Sequence, residues 1–464
     1  MTPDTRLERA TAILIVALVL LTALVEWGVP ALAPTRAVVT VATILLLTVQ
    51  VRASRKAFVA VGAALTIWTV AVNPGWPPVL MSGLGAAAFI GGYFTALTTL
   101  RNVAAISPAI VSASRYLTTQ PPGRRYAALT LGGHVFGLLL SYGAISLLSS
   151  LVTGSNKSEP NAEIRKIRTR RMLLAIQRGF VATLPWSPLS FAMAITTVLI
   201  PGATWTKAVL PGIVSALIIT GIGWALDTVL KPRLAVRPVP RPVEGTIRRL
   251  NPLFLLLLLL AGCTAILHEV TGIRIVGVVI VVVPLVSFGW ALIQHRGGAH
   301  DFTLADHARH YLFTELPGYR GELTLLMMAG YIGTLGAPLL APFIQKTGLD
   351  LAALPPWLLL VCLVWITPIL GQVGMNPILA VGLYAPLLPC AASMGINPNA
   401  IVTAIAAGWA MSGISSPYTA TTLLVSNAGG VSALHVGLRW NGLYLLVVGP
   451  ALTLWTLTYA FVLG

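Results

Sequence analysis

An all-α polytopic membrane protein, with about eleven transmembrane helices, two re-entrant hairpins and an internal inverted repeat, is the fold that this 464-residue chain predicts. Composition is the first reason. Hydrophobic residues make up 56% and charged residues 9%, with a mean hydropathy of +0.86, whereas roughly a quarter of an ordinary soluble protein is charged. The second is run length: apolar stretches repeatedly reach the about 20 residues a helix needs to cross hydrocarbon, too long and too uniform for barrel strands. The third is a set of short motifs that recur in the two halves of the chain.

Crossings are expected at 10–32, 37–51, 57–72, 79–100, 179–200, 208–230, 252–267, 275–293, 323–345, 400–426 and 443–462. The first is long enough to span and carries no convincing small-residue cleavage site, so it reads as a helix rather than a secretory signal. Two further apolar stretches, 126–152 and 357–388, are interrupted near the middle by "LGGHVFG" and "GQVGMNP" and are expected to turn back inside the membrane at 132–137 and 371–377. The chain then divides into an extra first helix (1–36), a first repeat (37–230), a Pro/Arg-rich cytoplasmic strap (231–250) and a second repeat (251–464).

The formal charge of +17 is accounted for by loops rather than by nucleic acid, which is not an expected partner. With a cytoplasmic N-terminus and an outer C-terminus in a cell (inner) membrane, the inside collects "RASRK", "PPGRR", "EIRKIRTRR" and the arginines after Lys231. Only Arg36, Lys207, Arg274 and Lys346 remain outside, which is the bias that orients membrane proteins. Cys263, Cys362 and Cys390 lie in apolar segments without CxxC spacing, so neither a disulfide framework nor a zinc site is expected.

The repeat rests on three collinear matches. "GFVATLPWSPLSFA" from Gly179 aligns without gaps with "GWAMSGISSPYTAT" from Gly408, placing Thr183 opposite Ser412 and Ser190 opposite Thr419. "GGYFTAL" from Gly91 pairs with "AGYIGTL" from Ala329, and "GHV" at Gly133 with "GQV" at Gly371. Inverted repeats of this kind place binding sites near the midplane, at broken helices.

Four breaks qualify: the two hairpin turns, Ser187-Pro188 and Ser416-Pro417. Proline removes a backbone donor and frees a carbonyl one turn earlier, which suits a dehydrated cation, while helix N-termini suit an anion. A lone Ser-Pro is also a simple kink, and it is the pairing of the two that favours a site. Substrate contacts are expected from His134, Ser187, Gln372, Asn376, Ser415, Ser416 and Thr419, and ion contacts from Gly133, Gly137, Thr183, Gly371, Gly374 and Ser412. His134 could carry a coupling proton or be a hydrogen-bonded turn residue; Gln372 and Asn376 could bind solute or lock the hairpin. None of the breaks contains Asp or Glu, so a sodium ion, the one bound group expected, would rely on carbonyls, hydroxyls and amides. No paired carboxylates, metal cluster or phosphate loop points to an enzyme or to ATP-driven transport.

This plan resembles the ion transporter superfamily, especially divalent anion/sodium symporters, with the large permeases of TRAP dicarboxylate systems as more distant relatives. The resemblance is clearest in "GQVGMNPILAVGLYAPLLP" and "GISSPYTATTLLVSNAGG". It implies a homodimer in the lipid bilayer in which hairpin tips and broken helices hold sodium and a carboxylate and move them by an elevator motion. The tips depart from the symporters' Ser-Asn-Thr, reading "GGHVFG" and "GMNP". The expected function is secondary active transport of a small anionic solute, coupled to sodium or protons. The alternatives are an antiporter or exporter of an inorganic ion on the same fold, or a channel or membrane sensor.

Overall fold

The computed structural model describes residues 5–157, 159–232, 245–296, 303–346, 351 and 353–463, and every regular element among them is helical. In chain order the first five helices are α1 (Thr5–Glu26), α2 (Ala33–Gln50), α3 (Ala53–Val72), α4 (Trp76–Ala105) and α5 (Pro108–Thr118). Next come α6 (Pro122–Leu140), α7 (Gly143–Asn156), α8 (Ala162–Val181), α9 (Phe191–Leu199) and α10 (Trp205–Val229). The second half holds α11 (Asn251–Thr271), α12 (Ile275–Arg296), α13 (Leu304–His310), α14 (Leu316–Gly318) and α15 (Arg320–Lys346). The last are α16 (Pro356–Gln372), α17 (Pro377–Tyr384), α18 (Pro398–Ser415), α19 (Ala420–Gly429) and α20 (Gly442–Thr458). Helices dominate because hydrocarbon offers backbone amides no other partner than their own chain.

Among the described residues ten helical stretches are long and apolar enough to cross a membrane, and the chain is a multi-pass membrane protein. The expected crossing at 179–200 is not one helix: α8 stops at Val181 and α9 starts at Phe191. The first crossing ends earlier than expected, at Glu26, because Gly28 adopts φ +94° and Pro30 opens a separate short turn. Of the expected strap, residues 233–244 lie outside the described residues, and Ile247–Leu250 already form a helical turn leading into α11.

The first hairpin turn also differs from expectation. α6 runs unbroken through 132–137 and the chain reverses at Ser141-Tyr142, where Ser141 takes φ +50°. α7 then returns along α6, with Leu148 beside Gly132. A glycine pair in "LGGHVFG" therefore does not make a turn. It lets α6 lie against α8: a Cβ at Gly133 would overlap the Ile176 carbonyl, and one at Gly179 would overlap the Thr130 carbonyl. Small residues allow such backbone approach where lipid supplies no hydrophobic drive between helices.

The chain forms two compact units, each drawing on both halves of the sequence. One comprises Met1–Val103, Leu260–Leu351 and Ile378–Leu388. Its core gathers Ile15, Leu18, Ala87, Ala88, Met327, Met328 and Leu335. There α4 and α15 cross antiparallel at glycines, Gly91 facing Met327 and Gly330 facing Ile90, so the matched "GGYFTAL" and "AGYIGTL" motifs meet. Glu26 accepts both arms of Arg274 at 2.7 Å. The other unit comprises Ala104–Leu259, Ala352–Pro377 and Pro389–Gly464, and contains all the residues singled out above as candidate ligands.

Replacing Gly179 with alanine should therefore destabilise the protein by about 1–3 kcal/mol, the usual cost of overpacking. Gly154→Ala, whose Cβ would meet nothing within 4 Å, should be neutral or stabilising. Thermal unfolding of the purified protein in detergent compares the two.

Candidate functional site

Two helix pairs build the candidate site, α6 with α8 and α16 with α18. Each pair crosses at a glycine. Gly179 of α8 abuts the Thr130 carbonyl, and Gly408 of α18 abuts the Val364 carbonyl at 2.7 Å from an added Cβ. One turn on, Gly137 packs near Thr183, and Gly371 near Ser412. A single shift in residue number relates Thr130 to Val364 and Gly137 to Gly371. The structural counterpart of Gly371 is therefore Gly137, one helical turn beyond the Gly133 that the sequence match suggested. By the same shift, the reversal at Ser141-Tyr142 corresponds to Met375-Asn376, where α16 has ended and α17 begins.

α18 ends at Ser416-Pro417, α8 gives way to turns that lead to Ser187-Pro188, and the two breaks repeat one another bond for bond. Ser187 N–H donates to Thr183 O at 3.0 Å, and Ser416 N–H to Ser412 O at 2.9 Å. The Ser187 hydroxyl accepts from Leu189 N–H at 3.1 Å, and the Ser416 hydroxyl from Tyr418 N–H at 3.2 Å. Ser190 Oγ donates to Ser187 O at 2.9 Å, and Thr419 Oγ1 to Ser416 O at 3.0 Å. Serine and threonine turns of this kind are what lets a chain leave a helix without stranding its amides.

The carbonyls freed by the two prolines are not open to a cation as the sequence alone suggests. Leu184 O accepts from Ser190 Oγ at 3.0 Å. Gly413 O accepts from the Thr421 hydroxyl, from Thr422 Oγ1 at 3.4 Å and from Gln177 Nε2 at 3.4 Å. Hydroxyls downstream of each proline replace the lost amide.

At the first break, His134 sits within α6 rather than at a hairpin tip. Its Nδ1 lies 3.2 Å from Gly179 O and its ring stacks on Trp186 at 5.6 Å. Thr183 and Ser187 are buried, and Thr183 Oγ1 donates to Phe180 O at 2.7 Å. α10 closes this side: Trp205 Nε1 donates to Trp186 O at 2.9 Å, and Gly212 lies against the Pro185 carbonyl.

At the second break, the residues expected from sequence converge. Ser416 Oγ donates to Gly371 O at 2.6 Å, and Gln372 Nε2 reaches Ser415 Oγ at 3.2 Å. Thr419 Oγ1 links to Thr422 Oγ1 at 3.1 Å. Gly374, at φ +89°, turns the chain after α16, and an added Cβ there would lie 3.6 Å from the Tyr418 ring. Asn376 immediately precedes α17. Ser412 is fully buried in α18, yet its Oγ has no hydrogen-bond partner, and a Cβ at Gly371 would come within 2.5 Å of it. An orphaned buried hydroxyl is costly, and beside a glycine whose side chain would cover it, it is a polar group placed to meet a bound species.

Sequence reasoning missed the buried polar cluster behind this break. Gln177, Arg178 and Asn441 are 0, 5 and 0% exposed. Arg178 donates to Asn441 Oδ1 through Nε at 3.3 Å and Nη2 at 3.1 Å, and to Tyr126 Oη through Nη1 at 3.1 Å. Its guanidinium stacks 4.0 Å from the centre of the Tyr444 ring. Asn441 Nδ2 donates to Gln177 Oε1 at 3.1 Å, and Gln177 Nε2 to Thr422 Oγ1 at 3.3 Å. The available signal was polarity inside apolar sequence, "AIQRGF" and "RWNGLYLL", which is rare in membrane helices unless functional.

By sequence, no protein-family profile matches the chain, and no curated protein matches it. By structure, the chain is similar to the YdaH transporter of Alcanivorax borkumensis, at TM-score 0.58 and 16% identity, covering 86% of this chain and 98% of that one. It is also similar to MtrF of Neisseria gonorrhoeae, described within a class of antimetabolite efflux pumps, at TM-score 0.53 and 14% identity, covering 91% and 98%. The fold is thus shared with solved transporters over most of the chain.

Ser412→Ala removes the orphaned hydroxyl and should leave stability equal or higher, by up to about 1 kcal/mol, because no hydrogen bond is lost. If the hydroxyl meets a bound species, ligand-induced stabilisation and transport should fall in the same variant. Thermal unfolding with and without candidate ligands reads both effects.

Proposed function

We propose that the protein is a secondary active transporter of elevator type that moves a small anionic solute such as a carboxylate, coupled to a sodium or proton gradient. The observation that carries this reading is the pair of bond-for-bond equivalent Ser-Pro breaks, each on a glycine-crossed helix pair and both in one compact unit. Broken helices in membrane proteins are tolerated where backbone and hydroxyl groups serve a site, and symmetry-related breaks are the arrangement by which secondary transporters bind at the midplane.

In this reading the unit containing both breaks is the moving body, and the protein acts as a homodimer in the inner membrane, N-terminus inside and C-terminus outside. Ser412, Ser416, Gly371 and Gln372 line the second break, while His134, Thr183 and Ser187 line the first. Sodium, if it is the coupling ion, is held by Ser412 Oγ and neighbouring backbone near Gly371, in keeping with the absence of carboxylates from the breaks. Glycines 133 and 137 serve packing in α6 rather than direct ion contact.

A second reading, export on the same fold, is favoured by the likeness to MtrF. The two differ only in which way the ion gradient drives solute.

Reconstitution into proteoliposomes tests the proposal. Uptake of carboxylates should saturate and should collapse when the sodium and proton gradients are dissipated, whereas passive flux indifferent to both gradients would sink it. Reversing the gradient separates import from export. In the same assay His134→Gln should abolish proton-driven flux if His134 carries the proton, and should leave sodium-driven flux within about twofold of the parent protein if sodium is the coupling ion.

A further inference from the structure

The most conspicuous charge in the unit carrying the breaks is Arg178. It is 5% exposed, and its side chain donates hydrogen bonds to neutral groups, Asn441 and Tyr126, with the Tyr444 ring on its face. Among the described residues no carboxylate lies within 4.0 Å of it. The nearby Arg171 is different, since Asp227 accepts both its arms at 2.7 and 2.6 Å. Arg170, on the same helix, lies over the Trp440 ring at 5.9 Å. A buried cation without an ionic partner is strongly disfavoured unless something negative visits it.

The hydrogen-bond chain from Arg178 has a definite destination. Asn441 passes it to Gln177, and Gln177 ends on Thr422 and on the Gly413 carbonyl, the one freed by Pro417. Asn441 Nδ2 also reaches Ile414 O at 3.5 Å. Gly223 admits this arrangement: a Cβ there would lie 2.9 Å from Tyr126 Oη and 3.3 Å from the Arg178 side chain. The charge is thus fixed in place behind the second break, oriented by dipoles that point from it towards the break.

We infer that Arg178 is the resident positive charge that makes the second break selective for anions, supplying the counter-charge for the solute's carboxylate. This deepens the transporter reading and rests on it for the identity of the anion, but the potential at the break is measurable without any substrate. In the low-dielectric interior a charge acts over several hydrogen bonds with little screening. Asn441 and Gln177 act as positioning residues for it.

The test places a cysteine at the break. Thr419 is partly exposed and bonded to Thr422, so Thr419→Cys is introduced after Cys263, Cys362 and Cys390 are replaced by serine. The thiolate is alkylated by iodoacetate, an anion, and by iodoacetamide, its neutral analogue. The same thiolate attacks the CH2–I carbon of either reagent and displaces iodide, so their rate ratio cancels its ionisation and reports the local potential.

Arg178→Gln should lower the iodoacetate to iodoacetamide ratio by about tenfold, and Arg178→Lys should hold it within about twofold of the arginine protein. Arg178→Met, which fills similar space without the charge, carries the test if Arg178→Gln does not fold, and should lower the ratio by as much. An unchanged ratio in Arg178→Gln or Arg178→Met, or a fall in Arg178→Lys as large as in Arg178→Gln, would each overturn the inference. A normal ratio pattern combined with failure of coupled carboxylate flux would instead leave the charge in place and remove the transport reading.

Discussion

Every amide and carbonyl of a membrane helix has to be satisfied by the chain itself, and the architecture of the candidate site follows from that constraint. A proline at 188 or 417 deletes one donor and orphans one carbonyl. The chain answers with hydroxyls placed two to five residues downstream of the proline, Ser190 at the first break and Thr421 with Thr422 at the second. The serine before each proline then binds the amide two residues on. The polar stretch "GISSPYTATT" is therefore in large part the repair kit for its own proline. Just before that stretch, the Ser412 hydroxyl is a group left with chemistry to spare.

Close helix contact is the second requirement, because a break can be held in place only if its neighbours do not move. The glycines at 133, 179, 371 and 408 bring backbone against backbone or against a hydroxyl, with no side chain to yield. Packing at this distance transmits displacement rather than absorbing it. The hairpin tips lie beyond these crossings, so α6 and α16 deliver Ser141-Tyr142 and Gly374 to positions set by glycines well before them.

Much of the architecture was legible in sequence because hydrocarbon imposes a length and a polarity that composition records directly. The spans at 208–230, 275–293 and 443–462 coincide closely with helices. The Ser-Pro pair was legible because proline has only a few uses inside a membrane helix. Errors came where one residue type serves two physical ends. The glycines of "LGGHVFG" read as a turn and are a packing seam, which moved the hairpin tip to Ser141-Tyr142 and His134 into a helix. Gln177 and Arg178 lie at the end of a helix whose many basic residues read as loop charge, so their burial could be seen only once α8 was packed. Asn441 owes its position to the wide helical turn at His435–Trp440, a local irregularity that no periodicity announces.

The two breaks share their bonds but not the number of ties on the freed carbonyl. Leu184 O is held by one hydroxyl, and Gly413 O by two hydroxyls and an amide. A joint held once bends more readily than a joint held three times. Two copies of one motif thus differ in how firmly their freed carbonyl is anchored.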